Sequence, residues 1–261
     1  MKTTAVRSEH APDDETSAVL TRLNQSDRPR VAVNLRPRDA ASLVLIDRSA
    51  DAPRLLVGRR HPGQVFLPNK VVFPGGRVER CDSQVQFGDV LHPLEAEKLL
   101  LDIKGAPSVR RARALALAAV RELFEETGLI FGKRAPNIRT RSPLWQPFVA
   151  RGYTPTISRL MYFARAITPP RRPRRYDTRF FIATSDGLAG ERGDLDGELG
   201  ALNWLTFEEA RQCNLHVMTR TILDEAEMLL DARWRPKRRR SLPYYYERAG
   251  VFRQETLQVP G

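Results

Sequence analysis

The chain has 261 residues, enough for one sizeable α/β domain with tails or for two small domains, and its 41% apolar content argues against wholesale disorder. Lys and Arg (43) exceed Asp and Glu (31), a net charge of +12 that favours anionic partners such as phosphorylated metabolites, nucleic acid or a membrane surface. Cys81 and Cys213 stand in no metal-binding spacing, residues 1–16 carry no apolar secretory core, and no apolar run approaches the roughly 20 residues that span a bilayer, so the expectation is a cytoplasmic protein.

Residues 1–35 read as a loosely held arm with a weak helical stretch near Ser17–Leu23. Ala41–Ile46 and Leu55–Val57 are apolar runs of strand length about a turn at Ser49–Pro53, and predict a hairpin. Val71-Val72-Phe73 predicts a strand that breaks at Pro74-Gly75-Gly76. Pro93–Lys104 predicts a helix ended by Gly105-Ala106-Pro107, and Ser108 then caps a long helix that runs to Thr127 and closes at Gly128. Leu160–Ile167, Tyr176–Thr184 and Leu199–Leu205 are strand-like; Thr206 opens a short helix, and Val217–Leu230 is a final amphipathic helix. A main domain over 36–235, with an insertion at about 83–113, is followed by a basic, Tyr-rich tail over 236–261. The mixture of strands and helices predicts an α/β (α+β) sandwich around one core.

The long helix carries the chemistry. At about 100° per residue, Ala116, Val120, Leu123, Phe124 and Thr127 fall on one face and Glu122, Glu125 and Glu126 on the other. Like charges at these spacings oppose a helix by roughly 0.2–0.5 kcal/mol per pair, and the helix dipole disfavours anions in the last turn. Arg121 offsets part of this; a bound cation would remove the conflict, and hard oxygen donors suit Mg²⁺ or Mn²⁺. A solvated acidic face satisfies the same pattern.

Residues 121–129, R-E-L-F-E-E-T-G-L, resemble the second half of the Nudix box, G-x5-E-x7-R-E-U-x-E-E-x-G-U with U a bulky apolar residue, and residues 73–76, F-P-G-G, resemble its entry. Two departures stand out. Asp82 occupies the place of the first Glu, and Arg121 lies 45 positions after Gly76 where the uninterrupted box needs 14, so 31 residues are inserted. Such an insertion must loop out while the Gly turn stays beside the helix, which the slow growth of loop-closure cost tolerates. The interrupted box, Leu55–Asp82 and Thr168–Thr178 are similar to the peroxisomal coenzyme A diphosphatases of animals and their bacterial relatives.

The resemblance implies a Nudix-type α/β/α sandwich with a central mixed sheet. It implies that Glu122, Glu125 and Glu126, with the carbonyl of Gly75, hold Mg²⁺ or Mn²⁺, that Arg121 orients the glutamates, and that Glu122 or a loop carboxylate helps to deprotonate water. Glu198, in the acidic stretch 191–198, is the candidate for that carboxylate. Arg59, Arg60, Arg174, Arg175 and Arg179 are candidates to grip substrate phosphates, with a solvated basic edge as the competing reading. The implied reaction cleaves a nucleoside diphosphate derivative, first coenzyme A or acyl-CoA to 3′,5′-ADP and (acyl-)phosphopantetheine. ADP-ribose, NADH or other dinucleotides, RNA 5′ ends, and a non-catalytic nucleotide sensor are the alternatives. The basic run 233–240 is read as solvated in preference to nucleic-acid binding, and monomer or homodimer stays open.

Overall fold

A computed structural model of the chain describes residues 6–8, 14–25, 33–63, 67–103, 106–189 and 199–260. In chain order its elements begin with β1 (Val6–Ser8), α1 (Asp14–Gln25), β2 (Arg38–Asp47), β3 (Arg54–Arg60), β4 (Val71–Val72) and β5 (Gly75–Arg77). Then come α2 (Pro93–Leu100), α3 (Val109–Thr127), β6 (Ile130–Arg134), α4 (Gln146–Ala150), β7 (Tyr153–Pro155), β8 (Met161–Ile167) and β9 (Tyr176–Thr184). The chain closes with β10 (Leu188–Ala189), β11 (Leu199–Thr206), α5 (Phe207–Gln212), α6 (Val217–Met228), β12 (Ser241–Arg248) and β13 (Val251–Gln258).

Strand β2 organises the fold. It runs parallel to β9 from Arg38↔Tyr176 to Ile46↔Thr184, and antiparallel to β3 and β5. Its apolar run does not alternate with polar residues because both faces are covered. Leu43 and Leu45 pack with Phe181 and the α3 residues Leu115, Ala119 and Leu123 on one side. Val44 and Ile46 pack with Ile182, Phe207, Ile222 and Ala226 on the other. The result is an α/β/α sandwich on a mixed sheet of order β1-β13-β12-β8-β9-β2-β3-β11, with β4 on β3, β5 on β2, and a separate small sheet β10-β6-β7.

The structure corrects three sequence expectations. Residues 241–258, read as a tail, form the hairpin β12–β13, and β12 joins the main sheet parallel to β8. Leu242, Tyr244, Tyr245, Phe252 and Leu257 are buried there, a strand pattern that the neighbouring arginines mask in composition. The arm is likewise tied in: Val19 and Leu23 of α1 pack on Tyr245 and Phe252, and β1 pairs with β13. The helix of the insertion ends at Leu100, because Leu101 turns to extended backbone and Asp102 takes φ 49°.

Helix α3 itself follows the sequence reading, with Ser108 Oγ accepting from Arg111 N–H and Gly128 at φ 69°. It is buried all round from Ala114 to Val120, since the insertion and the α4 region cover the side away from the sheet. Glu95 and Lys98 of α2 are buried too: Glu95 Oε2 lies 2.8 Å from Lys98 Nζ, and Glu95 Oε1 accepts from Arg238 of the basic run at 2.8 Å. Among the described residues no helix is long and apolar enough to cross a membrane.

Candidate active site

The Gly turn and the glutamate helix meet despite the insertion. Gly75 N–H donates to Glu126 Oε2 at 2.8 Å, and Pro74 carbonyl, just before it, accepts from Leu43 N–H and Ser42 Oγ–H. Close backbone approach requires glycine at 75, and at 76 a side chain would crowd Glu122. A Cβ on Gly75 would stand 2.5 Å from the carbonyl oxygen of Ala41, and one on Gly76 would stand 2.4 Å from Glu122 Oε2.

Arg121 is 2% exposed and uses all five N–H donors. Nε and Nη2 donate to the two oxygens of Asp82 at 3.0 and 3.1 Å, and Nη2 also donates to the Arg77 carbonyl at 2.9 Å. Nη1 donates to Glu122 Oε1 at 2.8 Å and to Glu125 Oε2 at 2.6 Å. Burial opposes the guanidinium charge, but the Asp82 carboxylate with Glu122 and Glu125 outweighs it, so the Arg121 pKa is raised. Burial, reinforced by the like charge of Glu125 and against the pull of Arg121, pushes Glu122 up to about 7.

Three carboxylates within one helical turn are a hard-oxygen donor set suited to Mg²⁺ or Mn²⁺. In this structure the protein's own donors occupy them: Arg121 holds Glu122 and Glu125, and the Gly75 N–H holds Glu126. Among the described residues no three carboxylate, imidazole or thiol groups are arranged as a metal centre. The set fits a cation by its chemistry.

No family model matches the chain. A curated protein of Caenorhabditis elegans named as nudix hydrolase 7 is 26% identical over 190 residues, 67% of this chain and 52% of its own length. The chain thus spans about half the length of that relative. The crystal structure of a NUDIX hydrolase from Alicyclobacillus acidocaldarius is 26% identical, with a TM-score of 0.53 over 72% of this chain and 90% of that one. In sequence and in fold the chain is similar to Nudix hydrolases.

Within this Nudix frame Asp82, where the box has Glu, is wholly buried beneath α3 and faces Arg121. Its oxygens also accept from the Glu79 N–H at 2.8 Å and from the indole N–H of Trp145 at 3.0 Å. The face opposite the apolar one, which carries Glu122, Glu125 and Glu126, is not a solvated one: Glu126 is buried, Glu122 is half-buried, and Glu125 is the most open of the three.

A cleft of about 750 Å³ opens at the same turn, with Gly75 and Gly76 in its wall. Its lining is largely apolar, including Leu23 and Phe252 from the chain ends, with Phe73, Phe180 and Met218; Arg60, Lys70 and Arg172 supply cations. Arg60, at the end of β3, stands in the cleft wall. Arg59 is exposed on β3 outside the cleft wall, and Arg174 is exposed and also outside it.

Arg175 and Arg179 are spent internally, which corrects their reading as phosphate grips. Arg175 donates to Asn34 Oδ1 and to the carbonyls of Leu35 and Thr168. Arg179 is 1% exposed, on the α3 side of the sheet, paired with Asp39 at 2.9 Å and Asp177 at 3.1 Å. The alternation of β9, with Thr178 and Phe180 facing the cleft, puts Arg179 on the opposite side. Glu198 lies outside the described residues. Sequence reasoning passed over Lys70, next to the Val71–Val72 strand, and Arg172, within the Pro-rich run before β9; only the folded cleft brings them together.

Proposed function

We propose that the chain is a metal-dependent diphosphatase acting on a nucleoside diphosphate derivative, with coenzyme A or acyl-CoA as first substrate. The observation that carries this reading is the clasp of the Gly75–Gly76 turn onto Glu126 and Glu122 at the wall of the large cleft. Glycines there let a diphosphate approach the backbone, and Arg60, Lys70 and Arg172 offset its charge. The largely apolar remainder of the cleft suits a pantetheine or acyl chain better than a second sugar or nucleoside.

Glu122, Glu125, Glu126 and the Gly75 carbonyl would hold Mg²⁺ or Mn²⁺. The ion would neutralise the diphosphate and polarise the phosphorus centre. Arg121 keeps Glu122 and Glu125 together on one turn. Glu122 would help to take the proton from water as the water oxygen bonds to phosphorus. The bridging P–O bond breaks, leaving 3′,5′-ADP and (acyl-)phosphopantetheine.

The test is product analysis by chromatography with coenzyme A, an acyl-CoA, ADP-ribose, NADH and 5′-triphosphate RNA, each with Mg²⁺ or Mn²⁺. The reading expects the fastest turnover on coenzyme A or acyl-CoA. Preferred cleavage of ADP-ribose, NADH or RNA would overturn the substrate assignment, and no cleavage of any of them would overturn the enzymatic one.

A further inference from the structure

Trp145 is wholly buried 63 positions from Asp82 in the chain, just before α4, yet its one side-chain donor points at the site. The indole N–H meets Asp82 Oδ1 at 3.0 Å, on the same oxygen that accepts from Arg121 Nε. The ring is fixed edge-on between Phe87, at 5.0 Å between centroids, and Phe148, at 5.5 Å. Phe87 belongs to the insertion, and its carbonyl and that of Val85 accept from Arg113 of α3. The start of the insertion, the α4 region and the glutamate helix are thereby joined at one point.

The polar contacts form a chain of fixed direction. Asp82 has no exposure, so an oxygen deprived of a donor finds no solvent to replace it. With both oxygens held, Asp82 fixes the plane of the Arg121 fork through Nε and Nη2. That plane decides where Nη1 meets Glu122 and Glu125. We propose that Trp145 is a positioning residue for the glutamate turn, acting through Asp82 and Arg121. The inference extends the function proposed above, but its physical content, a lock on Arg121, is testable without turnover.

Trp145→Phe keeps the ring and removes only the N–H. The Arg121 Nε–H exchange rate in metal-free protein, read by nuclear magnetic resonance, is expected to rise about tenfold or more in this variant. The rate constant kcat on the best diphosphate is expected to fall about tenfold with KM unchanged, and more Mg²⁺ is needed for half-activation. Phe148→Leu, in the same aromatic cluster but without a polar contact, controls for lost packing: it lowers the melting temperature and leaves Arg121 exchange unchanged.

Unchanged Arg121 exchange in Trp145→Phe, or an equal rise in Phe148→Leu, overturns the proposal. If the wild-type protein cleaves no diphosphate, the function above fails while the exchange measurement still decides this inference. Should Trp145→Phe not fold, the wild-type indole resonances decide. Trp145 N–H is expected to be exchange-protected and to shift on Mg²⁺ titration, while those of Trp204 and Trp234 stay in place. A Trp145 resonance that exchanges freely or ignores Mg²⁺ contradicts the proposal.

Discussion

Gly75 and Glu126 are 51 positions apart in the chain, and the N–H of the first donates to the carboxylate of the second at 2.8 Å. The contact closes the interrupted box. It brings a turn that only glycine can make against the helix end where three glutamates gather. The insertion between them is anchored at both ends, by Asp82 under Arg121 and by Ser108 at the head of α3.

Gly76 tests how close that approach must be. In Gly76→Ala the new methyl meets Glu122 Oε2 at 2.4 Å, and the carboxylate has to give way. Turnover is expected to fall about 100-fold, the scale of a 1 Å misplacement. The melting temperature should move little, because the obstructed atom ends a flexible side chain. Steady-state kinetics beside a thermal melt separates the two effects.

The pKa of Glu122, raised to about 7 in the folded protein, sets a pH dependence. Between its ordinary value of 4.5 and about 7 the folded state binds the proton more tightly than the unfolded state does. This group's contribution to stability therefore falls as pH rises through that window in metal-free protein. Mg²⁺ favours the ionised carboxylate, so its stabilising effect should grow over the same range. Thermal melts at pH 5.5 and 8, with chelator and with Mg²⁺, measure both slopes; a metal increment independent of pH contradicts the assignment.

The buried pair Glu95 and Lys98, joined from the surface by Arg238, ties the insertion to the sheet. Lys98 Nζ also donates to the Tyr162 carbonyl, and burial, only partly offset by Glu95, lowers its pKa. Glu95→Ala strips Lys98 of its counter-charge at 2% exposure and is expected to cost about 3–5 kcal/mol. That corresponds to a loss of roughly 10 °C in melting temperature for a chain of this size. Denaturant unfolding of the variant gives the number directly.

Arg172 and Arg179 are seven residues apart and should separate cleanly. Arg172 lines the cleft, so Arg172→Ala is expected to raise KM for the diphosphate substrate about tenfold, worth about 1.4 kcal/mol. Arg179 lies across the sheet in a buried ion cluster, so Arg179→Met should lower stability by about 1–3 kcal/mol and leave KM unchanged. The reverse pattern would mean that the cleft is not where substrate phosphates bind.

The sequence was most legible where local chemistry decides the outcome. Ser108 and Gly128 delimit α3, Thr206 opens α5, and the Gly75–Gly76 turn and the glutamate spacing appear in the fold as read. Legibility failed where long-range contacts decide. The hairpin β12–β13 hides behind a run of arginines, and its burial depends on pairing with β8, about 80 residues earlier. Arg175 and Arg179 look identical to a phosphate grip until the partners Asn34, Asp39 and Asp177 are in place. Trp145 carries no local signature, because its role depends on the carboxylate of Asp82 brought to it by the insertion.

The most direct test of the central claim is the rate of 3′,5′-ADP formation from coenzyme A or acyl-CoA, in Mg²⁺, for the wild-type protein and for Glu125→Gln. The account predicts metal-dependent turnover by the wild type and a loss of about 100-fold or more in the variant, with its melting temperature kept. Equal rates in the two proteins, or no product from the wild type with any divalent metal, would contradict it.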